Sequence, residues 1–188
     1  FRREITGNPL VRKAIAHCID RAFALKSILY GLGSEGTGPI HRESWAYTGD
    51  VTLYPYDLEK AAKLLDEAGY KRGADGKRFK INTVLRPDMD VWLKPAEILR
   101  DTLSRIGVEL EIIALETAAY YDRVYANWDF DTAWTSWLSG PDPGVIGDIY
   151  HTRQIKRMIF TNFMGYSNPR VDALLDEGGV TLDQGKRK

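Results

Sequence analysis

Apolar residues recur at spacings of three and four along much of the chain, which is the pattern of helices with one buried face. The predicted helices cover about residues 9–30, 58–68, 91–106 and 117–126, and a last one opens at residue 169. Asn8-Pro9 and Asn168-Pro169 mark two of the starts, because Asn can accept a hydrogen bond from a free N–H group and Pro fits the first helical turn. Asp57 and Thr117 are the expected caps of two others.

Three further stretches carry the alternation, or the β-branched and aromatic residues, that are typical of strands. They are Phe79–Leu85, Val108–Leu115 and Phe130–Trp137. Helices separate these strands along the chain. The order therefore favours an α/β fold in which helices flank a parallel or mixed sheet.

Composition and charge narrow the class of protein. The chain has 188 residues, of which 44% are hydrophobic, so it can bury the core of one compact, water-soluble domain. Its 26 basic and 26 acidic residues are interleaved, which argues against nucleic-acid binding. No apolar run approaches the roughly 20 residues of a membrane-spanning helix. Cys18 lies on the apolar face of the first predicted helix, where it is expected to act as a buried small hydrophobe.

Residues that could carry chemistry are present, but they lack the partners that each chemistry needs. Gly31–Gly36 matches the G-x-G-x-x-G string of dinucleotide sites, yet a helix is predicted before it instead of a strand, so a helix end and a loop are expected. Asp148 and His151 could share a helical face, but two ligands do not make a metal site, and His151 is expected to be a hydrogen-bonded surface residue. Asp66-Glu67 and Asp176-Glu177 are expected to be solvated surface charges. We therefore predict neither an enzyme nor a metal or cofactor site.

The most distinctive stretch is Trp134–Gly144, where an aromatic strand runs into a Gly/Pro turn. Ligands of open α/β sheets bind at the carboxyl ends of strands, and a Trp followed by hydroxyls and free N–H groups can form a recognition surface there. Because alternate side chains of a strand point to opposite faces, Trp134 and Trp137 are expected on opposite sides. We predict Trp134 in the core and Trp137 at the ligand.

Several stretches also carry the motifs of a known family. Asn8–Arg21 is similar to the motif N-x-x-V-R-x-A-x-x-x-A-I-D-R, and Tyr54–Tyr70 to the motif Y-D-P-E-K-A-K-x-L-L-x-E-A-G-Y. The others are Ile106-Gly107-Val108, Phe130–Pro143 and Gly165–Leu175. In this order they resemble the solute-binding proteins of ABC importers, family 5, which include oligopeptide, dipeptide and nickel-chelate binders.

The resemblance implies one lobe of a type II periplasmic-binding-protein-like fold, in which two α/β lobes close on a solute. Residues 1–188 are then a single lobe, the second, with the first lobe and the C-terminal return outside the sequence. In the family, the strand-end tryptophan and the turn after it line the cleft. The ligand-binding residues that this implies are Ser136, Trp137, Leu138, Ser139, Gly140 and Asp142.

The turn departs from the pattern of the family's peptide binders. Those proteins place a carboxylate there to hold the α-amino group of the peptide, whereas here the turn looks one residue shorter and Ser139-Gly140 stand in that place. A buried ammonium group needs a charged or hydrogen-bonded partner, and Asp142 could substitute. Asp142 belongs, however, to a Pro-Asp-Pro turn that is common in the family, which favours a structural role. A peptide, a sugar, an opine and a metal chelate all stay open as solutes.

The function implied by the resemblance is that of a periplasmic or extracellular, cell-surface component of an ABC importer. Such a component captures a peptide or another small solute and delivers it to the permease subunits. A monomer without a cofactor is expected, with a signal peptide upstream of Phe1. The alternative is the ligand-sensing domain of a transcription regulator, because similar lobes occur fused to DNA-binding domains. The residues before Phe1 would distinguish the two, through a signal peptide or a helix-turn-helix.

Overall fold

Three parallel strands form a sheet in the order β2–β1–β3. They are β1 (Phe79–Leu85), β2 (Val108–Ala114) and β3 (Thr132–Ala133). The first two pair over their whole length, whereas β3 pairs with β1 only at Thr83 and Val84. The predicted α/β fold, with helices beside a small parallel sheet, is confirmed in this computed structural model, which describes residues 3–136 and 140–188.

The chain divides into two compact units. The sheet unit comprises Phe1–Glu35, Tyr54–Val124 and Asp129–Thr135, and the helical unit comprises Gly36–Leu53, Tyr125–Trp128 and Ser136–Lys188. The sheet unit contains α1 (Glu4–Gly7), α2 (Pro9–His17), α3 (Arg21–Ile28), α4 (Leu58–Glu67), α5 (Asp90–Arg105) and α6 (Thr117–Tyr121). The helical unit contains α7 (Ile146–Tyr150), α8 (Pro169–Val180) and α9 (Gln184–Arg187). Among the described residues, no helix is both long and apolar enough to cross a membrane. That residues 1–188 form a single lobe stays a prediction.

Side chains cap helix starts at places that the sequence indicates. Asn8, Asp57 and Asn168 each accept a hydrogen bond from a backbone N–H two or three residues later. Each satisfies a donor that the first helical turn leaves free, as predicted. The prediction of Thr117 as a cap is wrong, because it is the first residue of α6 and the preceding Glu116 makes no side-chain cap hydrogen bond.

The single helix predicted over about residues 9–30 is wrong, because two helices lie there. α2 ends at His17, and the carboxylate of Asp20 starts α3 by accepting a hydrogen bond from the N–H three residues later at 2.9 Å. Between the two helices, the carbonyl of Cys18 accepts a hydrogen bond from the hydroxyl of Thr102 at 2.9 Å. These side chains bind backbone groups that a continuous helix would pair internally, so the helix breaks here.

The third predicted strand is shorter than expected. Of Phe130–Trp137, only Thr132–Ala133 forms a strand among the described residues. Just before it, the carboxylate of Asp131 accepts a hydrogen bond from the N–H of Asn82 at 2.8 Å, and the Asn82 amide oxygen accepts one from the N–H of Asp131 at 3.0 Å. Side-chain oxygens therefore replace the backbone ladder at this end, and strand pairing starts only after them.

Buried apolar side chains from the sheet and from α2, α4 and α5 form a core within the sheet unit. They are Val11, Ala14, Cys18, Ala61, Leu65, Ile81, Leu99, Leu103, Ile106, Val108 and Leu110. Cys18 is fully buried in this cluster, as predicted, and burial raises the pKa of its thiol to about 12. A thiol that stays protonated at neutral pH is a poor nucleophile, which fits a packing role.

Arg78 connects the start of β1 to neighbouring segments of the sheet unit. Its side chain is only 4% exposed, and its guanidinium donates hydrogen bonds to the carbonyls of Tyr70 and Ile106 and to the carboxylate of Asp66. The hydrogen bond from Arg78 lowers the pKa of Asp66. The Asp66 side chain is nevertheless 48% exposed, which confirms the prediction of a solvated surface charge.

We expect Arg78→Ala to lower the free energy of unfolding by about 2 kcal/mol, because it leaves two partly buried carbonyls without their donor. Arg72→Ala is the matched control, since Arg72 is exposed and donates to the carbonyl of Arg105 at the surface. The control should change stability by less than about 0.5 kcal/mol. Chemical denaturation measures both variants, and equal effects would contradict the role assigned to Arg78.

Candidate functional site

The predicted ligand-binding residues are only partly within the described structure. Trp137, Leu138 and Ser139 lie outside the described residues. Ser136, Gly140 and Asp142 are described and exposed. Their exposure leaves them accessible to a solute, and the assignment of these six residues as ligand contacts stays a prediction.

The backbone of Trp134 is fixed just after β3, where the chain approaches the predicted contacts. Its N–H donates to the carbonyl of Val84 at 2.9 Å, and its carbonyl accepts a hydrogen bond from the hydroxyl of Tyr120 at 2.6 Å. Tyr120 belongs to α6 and is only 1% exposed. The Trp134 ring packs against the core cluster, as predicted, but it is only partly buried and not part of the cluster itself.

Tyr120→Phe should lower the free energy of unfolding by about 1 kcal/mol, because the carbonyl of Trp134 loses its donor while the ring packing is kept. Tyr70→Phe is a suitable control, since Tyr70 is partly buried and, like Tyr120, has an edge-on aromatic neighbour, which is Phe79. Thermal unfolding of both variants gives the comparison. A loss as large for Tyr70→Phe as for Tyr120→Phe would mean that the Trp134 carbonyl does not depend on Tyr120.

An apolar cavity of about 220 Å³ lies beside the core of the sheet unit. Its lining residues are Ile15, Ile19, Ile81, Thr83, Leu99, Leu103, Leu110, Thr132, Ala133 and Trp134. The Thr83 hydroxyl is buried and has no hydrogen-bond partner among the described residues. The lining is mainly that of the core, and it offers few polar groups that could orient a solute.

The carboxylate of Asp142 accepts three hydrogen bonds within the helical unit. It accepts hydrogen bonds from the N–H of Gly144 at 2.7 Å and from both terminal nitrogens of Arg187 at 2.8 and 2.9 Å. Chiefly through Arg187, these bonds lower the pKa of Asp142 to about 2. Because this pKa is lower in the folded than in the unfolded chain, Asp142 stays ionised and paired with Arg187 above about pH 4, and the pair is lost as the pH falls towards 2. The geometry favours the structural role of Asp142.

Two further residues at this turn, Trp45 and Arg187, were not found from the sequence. The indole Nε1 of Trp45 donates to the carbonyl of Pro141 at 3.1 Å, and the guanidinium of Arg187 lies 5.4 Å from the centre of the Trp45 ring. Trp45 belongs to the loop Gly36–Leu53, which is longer than an ordinary connection. That length is the sequence signal that points to a role for the loop.

His151 is not the surface residue that the sequence predicts. It is only 7% exposed, its Nδ1 accepts a hydrogen bond from the N–H of Arg153 at 3.1 Å, and its Nε2 lies 3.3 Å from an oxygen of Asp176. Asp176 also accepts from the Arg153 guanidinium, and its side chain is 53% exposed, as predicted for a surface charge. Asp148 accepts from the amide of Gln154. Among residues 3–136 and 140–188, no group of three or more His, Cys, Asp and Glu could hold a metal ion.

The G-x-G-x-x-G string follows helix α3 and leads into a loop. Gly31, at a φ of 79°, donates its N–H to the carbonyl of Leu25 at 3.0 Å and so ends the helix. This left-handed conformation favours glycine, which explains the residue type at the helix end. The predicted helix end is confirmed, and the strand that a dinucleotide site needs before the motif is replaced by α3.

The sequence of the chain matches one known protein family. The profile of the bacterial extracellular solute-binding proteins, family 5 Middle, matches residues 1–154. The chain belongs to this family. The family resemblance stated from the sequence motifs is therefore confirmed. Its members are solute-binding transport proteins rather than enzymes.

Individual members of the family show how far the likeness extends. The oligopeptide-binding protein AppA of Bacillus subtilis is 28% identical over 193 residues, which cover 97% of this chain and 35% of AppA. Its structure in complex with a nonapeptide matches with a TM-score of 0.89, over 99% of this chain and 38% of that one. The periplasmic binding protein DppA of Helicobacter pylori, in complex with the peptide STSA, is 28% identical with a TM-score of 0.87, over 99% of this chain and 35% of DppA.

The heme-binding protein A of Haemophilus influenzae is 27% identical over 184 residues, which cover 96% of this chain and 33% of that protein. The chain therefore spans about a third of the length of these curated relatives. The structural likeness confirms the type II periplasmic-binding-protein fold. The relatives bind different solutes, so family membership alone does not name the solute.

Proposed function

We propose that the chain is the second lobe of a longer solute-binding protein of an ABC importer, located in the periplasm or on the outer cell surface. The observation that carries the proposal is the TM-score of 0.89 to AppA in complex with a nonapeptide, together with the family match over residues 1–154. In this role the lobe closes with a partner lobe on a small solute, which the permease then receives. A monomer that binds no nucleic acid is part of the same proposal.

The turn favours a solute that presents neutral groups to it. From Ser136 to Pro141 the sequence has no acidic side chain, and the carboxylate of Asp142 is already bound by Arg187 and by a backbone N–H. An ammonium group in a closed cleft needs an ionic or hydrogen-bonded partner, and the charge of Asp142 is already balanced by Arg187. We therefore expect that no free peptide amino group is held here. A peptide blocked or bound elsewhere at its amino end, a sugar, an opine and a metal chelate stay open as solutes.

Native mass spectrometry of the full-length protein tests the proposal. We expect one co-purified solute per protein molecule. Failing that, one molecule should be retained from a panel of free tetrapeptides, N-acetylated tetrapeptides, oligosaccharides, an opine and nickel–histidine. Stronger retention of the N-acetylated than of the free tetrapeptides supports recognition of neutral groups at the turn. No retention from any class, or chemical turnover of a retained solute, contradicts the proposed function.

A further inference from the structure

We propose that Arg187 and Trp45 are positioning residues for solute binding, and that with Asp142 they form a clamp that holds the turn Gly140–Gly144. The proposal rests on the proposed function of this turn. It concerns the segment that directly follows the predicted contacts Trp137–Ser139. The clamp consists of Arg187, Trp45 and Asp142, and it lies wholly within the helical unit.

Contacts of three kinds meet in the clamp. Arg187 donates from both terminal nitrogens to the two carboxylate oxygens of Asp142, at 2.8 and 2.9 Å. The same guanidinium lies over the ring of Trp45, 5.4 Å from its centre. The indole N–H of Trp45 donates to the carbonyl of Pro141 at 3.1 Å. The turn is thus held through the side chain of one residue and through the main chain of the residue before it.

The arrangement requires an arginine rather than any cation. A planar guanidinium can bind both oxygens of a carboxylate and at the same time present its face to an aromatic ring. A lysine ammonium keeps the charge but loses the two parallel hydrogen bonds. The side chain of Arg187 is 16% exposed, whereas that of Asp142 is 60% exposed. Arg187 is therefore the member of the pair that its neighbours enclose.

The position of Gly144 is a second indication that the turn Gly140–Gly144 depends on the ion pair between Asp142 and Arg187. The N–H of Gly144 donates to Asp142 Oδ1 at 2.7 Å. A Cβ at residue 144 would lie 2.9 Å from the same oxygen and 3.9 Å from Nη2 of Arg187. A contact that short forces the carboxylate to move. The absence of a side chain at Gly144 therefore leaves the space in which Asp142 meets Arg187.

The expected effect of the clamp is local order rather than global stability. Ion pairs with an exposed partner contribute little to the free energy of unfolding. Three separate segments nevertheless meet here: the loop Gly36–Leu53, the turn Gly140–Gly144 and helix α9. Loss of the clamp should therefore free the turn while the rest of the fold persists.

Hydrogen–deuterium exchange of residues 136–144 in the full-length protein tests the clamp without any ligand. We expect exchange at least about tenfold faster in Arg187→Gln and Gly144→Ala, and an intermediate rate in Arg187→Lys. Gly147→Ala is the matched control, because a Cβ there meets nothing within 4 Å. The control should exchange like the wild type. Unchanged exchange in both Arg187→Gln and Gly144→Ala would overturn the proposal.

Solute retention then separates positioning from structural support. The probe is the pool of N-acetylated tetrapeptides, measured by native mass spectrometry beside the melting temperature. We expect retention at least about tenfold weaker in Arg187→Gln at an unchanged melting temperature, with partial recovery in Arg187→Lys. A loss of retention that only parallels a lower melting temperature would overturn the positioning role. If the wild type retains no peptide, the same comparison uses the class of the panel that it does retain, and unchanged retention in Arg187→Gln would overturn the positioning role.

Discussion

Trp134→Ala and Trp137→Ala are expected to have opposite effects in the full-length protein. Trp134→Ala should lower the free energy of unfolding by about 3 kcal/mol, because the Trp134 ring packs against the core cluster and that apolar contact is lost. Trp137→Ala should cost much less stability and weaken solute binding by more than about 1 kcal/mol. The first substitution tests the core of the sheet unit, and the second tests the proposed binding surface.

The cavity beside the core explains why the loss at Trp134 should be large although its ring is only partly buried. The ring lines the apolar cavity of about 220 Å³, which is partly open, so its removal exposes the apolar core side chains on the other walls to water. These side chains belong to strands and helices that cannot easily move inwards to cover the lost contact. Trp134→Phe keeps much of the apolar contact and should recover most of the lost stability.

Chemical denaturation and calorimetric titration measure the two effects. The titration uses the solute that native mass spectrometry identifies, and both variants are compared with the wild type. If Trp137→Ala proved the more destabilising substitution and left affinity unchanged, Trp137 would be a core residue. The ligand-binding surface would then have to be sought in another part of the chain.

Local sequence rules predicted the helix starts well because the interactions that define them are local. Asn8 and Asp57 bind backbone N–H groups two or three residues away, so the residue type and its neighbours suffice to predict the cap. The break of the first predicted helix was missed although Asp20 is a local cap, because apolar residues continue at helical spacing across it and because the Thr102 hydroxyl that binds the carbonyl of Cys18 comes from a helix far along the chain. A helical pattern cannot show such a partner.

The candidate site depends on pairs of residues that are far apart in the sequence. Trp45 and Pro141 are separated by 96 residues, and Asn82 and Asp131 by 49. No periodic pattern indicates such pairs, which explains why the clamp and the short β3 were not predicted. Because β3 ends at Ala133, the alternation of side chains along a strand no longer indicates the side on which Trp137 lies. Its predicted role now rests on its position before the turn.

The isolated 188-residue chain should fold, yet bind solute about a thousandfold more weakly than the full-length protein. A chain of this length can bury about 70% of its unfolded surface. Its sheet unit has a core formed by its own helices and strands. Secondary structure should therefore be retained, and circular dichroism with thermal unfolding is the measurement that checks it.

Affinity is a separate matter, because under the proposed function two lobes enclose the solute. With one lobe, the polar groups of the solute that face the missing lobe stay in water, and its apolar groups stay exposed. A change from a micromolar to a millimolar dissociation constant corresponds to about 4 kcal/mol, which is the expected loss when about half of the contacts are absent. Calorimetric titration of the isolated chain with the solute of the intact protein measures this loss. An equal dissociation constant for both would mean that the complete site lies on this chain and that closure adds nothing to affinity.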